Sequence, residues 1–363
     1  MEGTAEFEIQ KIGESDFQVL QHLGQGTYGQ VLMAREMKTG NIVALKLMRK
    51  DRTKLEAFID ELRVSTYLSS YEGIIFTYPS FRDSMDHYIL TQELAPGGSL
   101  HSLIQDGVGI PEVMVKRCAL QLIGALEYMH SRGLVHRDVK PDNVLLMDNE
   151  CHHIKLSDFG LTQVVGSLVP SMAPIIPYMA PELCEIKPGE SIILDPTVDI
   201  WALGVLLYTV FTGYLPWERA MHNDELFQRF VHWQRDLDCV PPPSNWTEFN
   251  QNALHFFHIL LSQDPRTRTI STALLNHIDL PWGVEEMVEI VIQEEDVEMG
   301  HYVNEVIIIE EEEHYIVVEN HGDIECIIVA DTTDESLPSS TESTLLHWPN
   351  DTYLCLGSEV EIV

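Results

Sequence analysis

With 363 residues, 45% of them apolar, the chain has room for one large two-lobed domain and an appendage. Its net charge of −35, from 22 basic and 57 acidic side chains, argues against nucleic acid and anionic membrane surfaces as partners. The six cysteines, Cys118, Cys151, Cys184, Cys239, Cys326 and Cys355, include no Cys-x-x-Cys pair, so neither a disulfide framework nor a zinc ribbon is expected, and reduced thiols predict a cytoplasmic setting. The opening Met1-Glu-Gly-Thr-Ala-Glu-Phe-Glu8 has neither the basic start nor the apolar run of a secretory signal. The longest apolar run, around Ile200 to Phe211, is too short to cross a bilayer, so no membrane insertion is expected.

Along the chain, residues 1–16 read as a short leader. Val31 and Met33 follow a Gly-rich turn, Lys38-Thr-Gly-Asn41 makes a second turn, and Ile42 to Leu47 is an apolar run of strand length. A helix fits Glu56 to Ser69. A firmer one fits Val113 to Met129, where Val115, Cys118, Leu122, Leu126 and Met129 share one stripe. Asp199 to Phe211 is apolar nearly all round, the pattern of a helix buried inside a large lobe. Strands first and helices later predict an α+β chain with a strand-rich N-lobe (about 17–93) and a helical C-lobe (about 99–282). After Trp282 the texture changes. Residues 283–363 hold 22 Asp or Glu and no Lys or Arg, which leaves −13 for the first 282 residues. Such like charge predicts a solvated, disordered tail. A hairpin from Val306-Ile-Ile-Ile309 and Tyr315-Ile-Val-Val318 is the alternative.

Five short features fall in order along residues 17–282: Gly24-Gln-Gly26-Thr-Tyr-Gly29-Gln-Val31, Val43-Ala-Leu-Lys46, His136-Arg-Asp138-Val-Lys140-Pro-Asp-Asn143, Asp158-Phe-Gly160 and Ala180-Pro-Glu182. A G-x-G-x-x-G read as a dinucleotide fingerprint needs a helix directly after it. Here Gln30 to Ala34 continues as a strand, so the glycines cap a hairpin, where backbone can approach phosphate oxygens closely. Lys46 sits in an otherwise apolar strand and needs a counter-charge. Glu61 is the preferred partner, with Glu56 and Asp60 as rivals. Cys151-His152-His153 lies in a predicted turn with no second ligand group in reach, so no metal site is expected there.

Together these features resemble a protein kinase. The resemblance implies Mg²⁺ and ATP as cofactors and protein substrates. It implies that Asp138 takes the proton of the substrate hydroxyl, that Lys46 binds the α and β phosphates, and that Asn143 and Asp158 hold the metal. Lys140, two positions after Asp138, resembles the serine/threonine branch, in which that lysine reaches the γ-phosphate. The nucleotide site it implies is built from Leu23, Gly24, Gln25, Gly26, Thr27, Tyr28, Gly29, Val31, Ala44, Lys46, Glu61, Glu93, Ala95 and Leu145, with Ala95-Pro-Gly-Gly98 in the hinge and Gln92 at the back of the pocket. Glu182 would pair with Arg268, and Asp199 would anchor the catalytic loop.

Gly26-Thr-Tyr-Gly29, Gly133-Leu-Val-His-Arg-Asp138, Ile176-Pro-Tyr178, Thr212-Gly-Tyr-Leu-Pro-Trp217 and Phe230-Val-His-Trp-Gln234 further resemble the SH3-binding-domain serine/threonine kinases. That family's proline-rich region has no counterpart here beyond Pro241-Pro-Pro243, so SH3 binding is not expected. Glu361-Ile-Val363 weakly resembles a carboxylate-terminated PDZ-type ligand. Two departures open an alternative reading as a pseudokinase scaffold. Pro174-Ile175 stands where kinases of this class usually have Gly-Thr, and polar Ser65 stands where an apolar residue is usual.

Overall fold

The computed structural model describes residues 9–11, 16–26, 29–172, 176–237, 239–269, 277–284, 307–311, 314–321, 324–331 and 354–356. The chain divides into two compact units, Met1–Glu286 and Met287–Val363.

Alternating side chains give the first sheet two working faces. Strands β1 (Ile9–Lys11), β2 (Phe17–Gln25), β3 (Gly29–Glu36) and β4 (Ile42–Arg49) precede helix α1 (Leu55–Leu68), which is followed by β5 (Phe81–Asp83) and β6 (His87–Glu93). The spatial order is β1-β5-β6-β4-β3-β2. Cross-strand register places Val31 opposite Lys46, Met33 opposite Ala44, and Lys46 opposite Leu90. The period of two therefore sends Val31, Ala44, Lys46, Met48 and Leu90 to one face. On that face Met48, Phe81 and Leu90 pack with Phe58 and Leu62 of α1. The opposite face buries Ala34, Val43, Leu45 and Ile89 in a separate cluster. Strand β1 lies in the segment read as a leader. It pairs in parallel with β5, Ile9 opposite Phe81. Three residues whose partner lies some 70 positions away leave no local signal.

The second lobe begins with α2 (Glu112–His130), one residue longer at each end than its apolar stripe predicted. It continues through β7 (Leu134–Val135), β8 (Val144–Leu146), β9 (Ile154–Leu156), β10 (Gln163–Val164), β11 (Leu168–Pro170), α3 (Pro181–Cys184), β12 (Ser191–Ile193), α4 (Thr197–Thr212), α5 (Glu225–Gln234) and α6 (Gln251–Leu260). Helix α4 is buried on every side, as its all-round apolar sequence predicts. It stops at Gly213, whose φ of +72° no ordinary side chain adopts easily, and where a Cβ would lie 2.3 Å from the Gln105 carbonyl oxygen. Around α4, Trp201, Trp217, Trp246 and Trp282 are fully buried. Arg268, also buried, donates to both carboxylate oxygens of Glu182 at 2.5 and 2.9 Å and lies over the Trp201 ring. Glu112 opens α2 and accepts from the amides of Trp282 and Gly283 at 3.0 and 3.1 Å, which clamps the end of the lobe to its first long helix.

In the second unit, β13 (Ile307–Glu311), β14 (His314–His321), β15 (Ile324–Asp331) and β16 (Leu354–Leu356) form an antiparallel sheet in that order. Ile309 lies opposite Ile316 and Ile307 opposite Val318. Glu361-Ile-Val363 lies outside the described residues.

Ending the chain before Trp282 removes a fully buried indole and the Glu112 clamp. That truncation is expected to lose about 3–5 kcal/mol of stability in denaturant titrations.

Candidate active site

Three elements converge on one ammonium group. Lys46 projects from the centre of β4, and its Nζ donates to Glu61 Oε1 of α1 at 2.7 Å and to Asp158 Oδ1 at 2.8 Å. Of the three candidate acids on the helix, Glu61 is the one whose carboxylate meets the lysine, because it faces inward and is buried. Glu56 and Asp60 are exposed. Burial alone would strip the proton from Lys46, but Glu61 and Asp158 more than reverse this and hold its pKa above the usual lysine range. Burial pushes Glu61 upward against the pull of Lys46. Burial works in the same sense on Asp158, yet the charge and hydrogen bond of Lys46 outweigh it and keep that carboxyl below its ordinary value. Asp158 still leaves 42% of its side-chain surface open.

The second cluster is shaped by Asp199 near the start of α4. Its buried carboxylate accepts from the amides of His136 and Arg137, both at 2.8 Å, and lies 2.8 Å from His130 Nε2. These bonds hold a sharp turn in which Arg137 has φ +70°; Asp158 has φ +64°. Non-glycine residues enter this region at a cost, and here the surrounding contacts enforce it. His136 stacks edge-on against Phe159, 5.3 Å between centroids, which ties the loop to the Asp158-Phe-Gly160 segment. Beyond the turn, Asp138 receives Lys140 Nζ on both oxygens at 2.9 and 2.7 Å, and Asn143 Nδ2 on Oδ2 at 2.8 Å. Asn143 is fixed in turn, because its carbonyl accepts from the amide and hydroxyl of Ser157, each at 2.9 Å.

Between these clusters lie the side chains predicted to hold a nucleotide. Val31, Ala44 and Lys46 share the inner sheet face. Leu145 of β8 bridges to Ser99, just past Ala95-Pro-Gly-Gly98. Gln92 donates to Thr77 Oγ1 at 3.0 Å. Glu93 turns its carboxylate to the Phe76 amide at 2.7 Å and to Lys155 Nζ at 2.8 Å, while its own amide donates to the Phe76 carbonyl at 2.9 Å. Leu23, Gly24 and Gln25 close β2 and Gly29 opens β3; Thr27 and Tyr28 lie outside the described residues. A Cβ at Gly29 would fall 1.7 Å from the Leu47 carbonyl oxygen, so the fold itself requires this glycine. Around Gly24 and Gly26 a Cβ would meet no protein atom within 4 Å, which leaves open backbone where a phosphate cradle needs it.

Two features carried no signal in sequence. Lys155 lies on β9, which alternates with apolar neighbours like any hairpin, and its partner Glu93 belongs to the other lobe. His130 reads as an ordinary helix-end residue until α4 brings Asp199 to it. Among the described residues, no group of three or more His, Cys, Asp or Glu side chains is placed to hold a metal by itself. Asp148 instead organises the Cys151-His152-His153 turn, accepting from the amides of Glu150, His152 and His153. Nor, among these residues, is any helix long and apolar enough to cross a membrane.

A lysine–glutamate pair between a sheet and a helix, facing a loop that presents Asp138, Lys140 and Asn143, defines a protein kinase. Residues 17–279 match the protein kinase domain family. The chain is 40% identical over 269 residues to serine/threonine-protein kinase SBK1 of Danio rerio, covering 74% of this chain and 70% of that protein. It is 44% identical over 253 residues to SBK1 of Mus musculus, covering 69% and 60%, and 39% identical over 272 residues to SBK2 of Homo sapiens, covering 74% and 78%. The chain belongs to the SBK family of serine/threonine protein kinases.

Of the two departures, Pro174-Ile175 lies outside the described residues. Ser65 is 1% exposed, one turn beyond Glu61, and its hydroxyl has no hydrogen-bond partner among the described residues. Removing an unsatisfied buried hydroxyl relieves its desolvation cost. Ser65→Ala is therefore expected to raise stability by about 1 kcal/mol in denaturant melts, with the Lys46–Glu61 pair intact.

Proposed function

We propose that residues 17–282 form the catalytic domain and transfer the γ-phosphate of ATP to serine or threonine hydroxyls of protein substrates through the residues assembled around Asp138. The observation that carries this reading is the double restraint on Asp138, between Lys140 and Asn143, which aims a carboxylate from a preorganised loop. Asp138 accepts the proton of the attacking hydroxyl and orients its oxygen. Lys140 lies beside that carboxylate and supplies positive charge where charge develops in transfer. Lys46, kept cationic by its two acids, binds and orients the α and β phosphates.

Asn143 and Asp158 offer an amide and a carboxylate, hard oxygen donors of the kind Mg²⁺ prefers, and Asp158 has open surface to offer. Bound there with ATP, Mg²⁺ supplies the charge that neutralises the phosphates. Two protein donors are too few for a closed site, which fits a metal that arrives with its nucleotide. The hinge main chain at Glu93 and Ala95 receives the adenine, between Val31, Ala44 and Leu145. Unpaired cysteines support a cytoplasmic setting: Cys118, Cys151, Cys184 and Cys239 are all free thiols. Protein substrates are the partners this site fits. The PDZ-type reading of the last three residues stays a proposal resting on sequence, and SH3 binding is not part of it.

Asp138→Asn is expected to lower kcat by about 10³-fold or more in a radiolabel peptide assay, with ATP affinity nearly unchanged, because the phosphate cradle is untouched. Asp158→Asn is expected to lose Mg²⁺-dependent ATP affinity in titration. Wild-type turnover by both variants would refute the assignment.

A further inference from the structure

Arg137, directly before Asp138, has an unusual set of partners. Its guanidinium is half-buried, and its Nε is buried with no hydrogen-bond partner among the described residues. Its Nη1 reaches the Leu161 carbonyl only at 3.3 Å. Among the described residues, its closest acceptor is the thioether sulfur of Met172, to which Nη2 donates. Asp199 supplies charge nearby, but its oxygens are taken by two backbone amides and His130. Met172 is half-buried against the core of the lobe. It follows β11, which is itself paired to β12, Leu168 opposite Ile193 and Pro170 opposite Ser191. Upstream, β10 pairs with β7, Val164 opposite Leu134. The segment from Leu161 to Met172 is thus stitched to the lobe at two strand pairs, and its two end residues, Leu161 and Met172, both touch Arg137 of the loop that carries Asp138.

A guanidinium has five N–H donors and no acceptor, so a half-buried one demands acceptors from its surroundings. A thioether is a soft, weak acceptor, but it is neutral and needs no modification to be there. Between Leu161 and Met179 the sequence contains no Lys or Arg that would join Arg137 in gripping an added phosphate. Given the kinase reading above, we propose that Met172 is a positioning residue: its sulfur holds the Arg137 guanidinium, and so the Asp138 loop, in working geometry without phosphorylation of the segment.

The test compares full-length wild type, Met172→Leu, Met172→Gln and a Thr162→Ala/Ser167→Ala/Ser171→Ala triple variant. Leucine keeps the volume and removes the acceptor, whereas glutamine restores an acceptor through its amide oxygen. Met172→Leu is expected to lower kcat about tenfold, the equivalent of one hydrogen bond to a charged group, with KM for ATP unchanged. Met172→Gln is expected to recover most of that loss. Phosphatase treatment and the triple variant are expected to leave kcat within about twofold of wild type. Limited proteolysis supplies a readout independent of turnover: cleavage within 161–172 is expected to be faster in Met172→Leu than in wild type or Met172→Gln. Wild-type kcat in Met172→Leu, no recovery in Met172→Gln, or loss of activity on phosphatase treatment would each overturn the proposal. If wild type transfers no phosphate to any peptide, the assignment of Asp138 fails instead, and proteolysis alone decides the role of Met172. A Met172→Leu protein that does not fold overturns the proposal too, since it would make Met172 a core residue.

Discussion

A single ammonium group, Lys46 Nζ, holds the two halves of the site in register. It belongs to the sheet, Glu61 to the helix behind it, and Asp158 to the segment after β9 in the other lobe. Desolvation pushes a lysine without partners toward losing its proton, and two adjacent carboxylates without a cation would repel. Each group is tolerable only because the other two are present. Gly160 shows how tight this arrangement is, because a Cβ there would lie 3.0 Å from Glu61 Oε2. Breaking one contact releases the orientation of a helix, a strand and a loop together.

Asp199 plays the matching part below the cleft. One carboxylate satisfies two consecutive backbone amides and a histidine, and so replaces the secondary structure that this stretch of chain lacks. The sharp turn it enforces projects Asp138 toward Lys140 and Asn143. Glu182 and Arg268 do comparable work further out, in a buried bidentate pair over Trp201. The helical lobe thus spends its buried charges on shaping loops, while its stability rests on the aromatic core around α4. Buried ion pairs are weak evidence for stability and better evidence for a fixed geometry.

The two lobes are also tied directly. Lys155 on β9 reaches Glu93 at the end of β6, and the same carboxylate takes the Phe76 amide. The contact lies at the end of β6, so the chain leading into Ala95-Pro-Gly-Gly98 is braced by a charge pair.

Sequence alone determined the family and the order of the parts. Gly24 to Val31, Lys46, Asp138, Asn143 and Asp158 could be picked out because they lie in short motifs at fixed spacings, and fixed spacing is a local property. The long helices were legible for a related reason: the apolar stripe of α2 and the all-round apolar surface of α4 follow from one helical period, with ends misplaced by only one or two residues. Tertiary structure decided everything that depends on which distant groups meet. It chose Glu61 over Glu56 and Asp60 by turning one face of α1 inward, set β1 beside β5, and gave Asp199 its three partners. It also placed the Met172 sulfur, 35 residues along the chain, on Arg137. A hydrogen bond between residues far apart in sequence leaves no period and no spacing to read, because the distance that matters is set only when the lobes close around it.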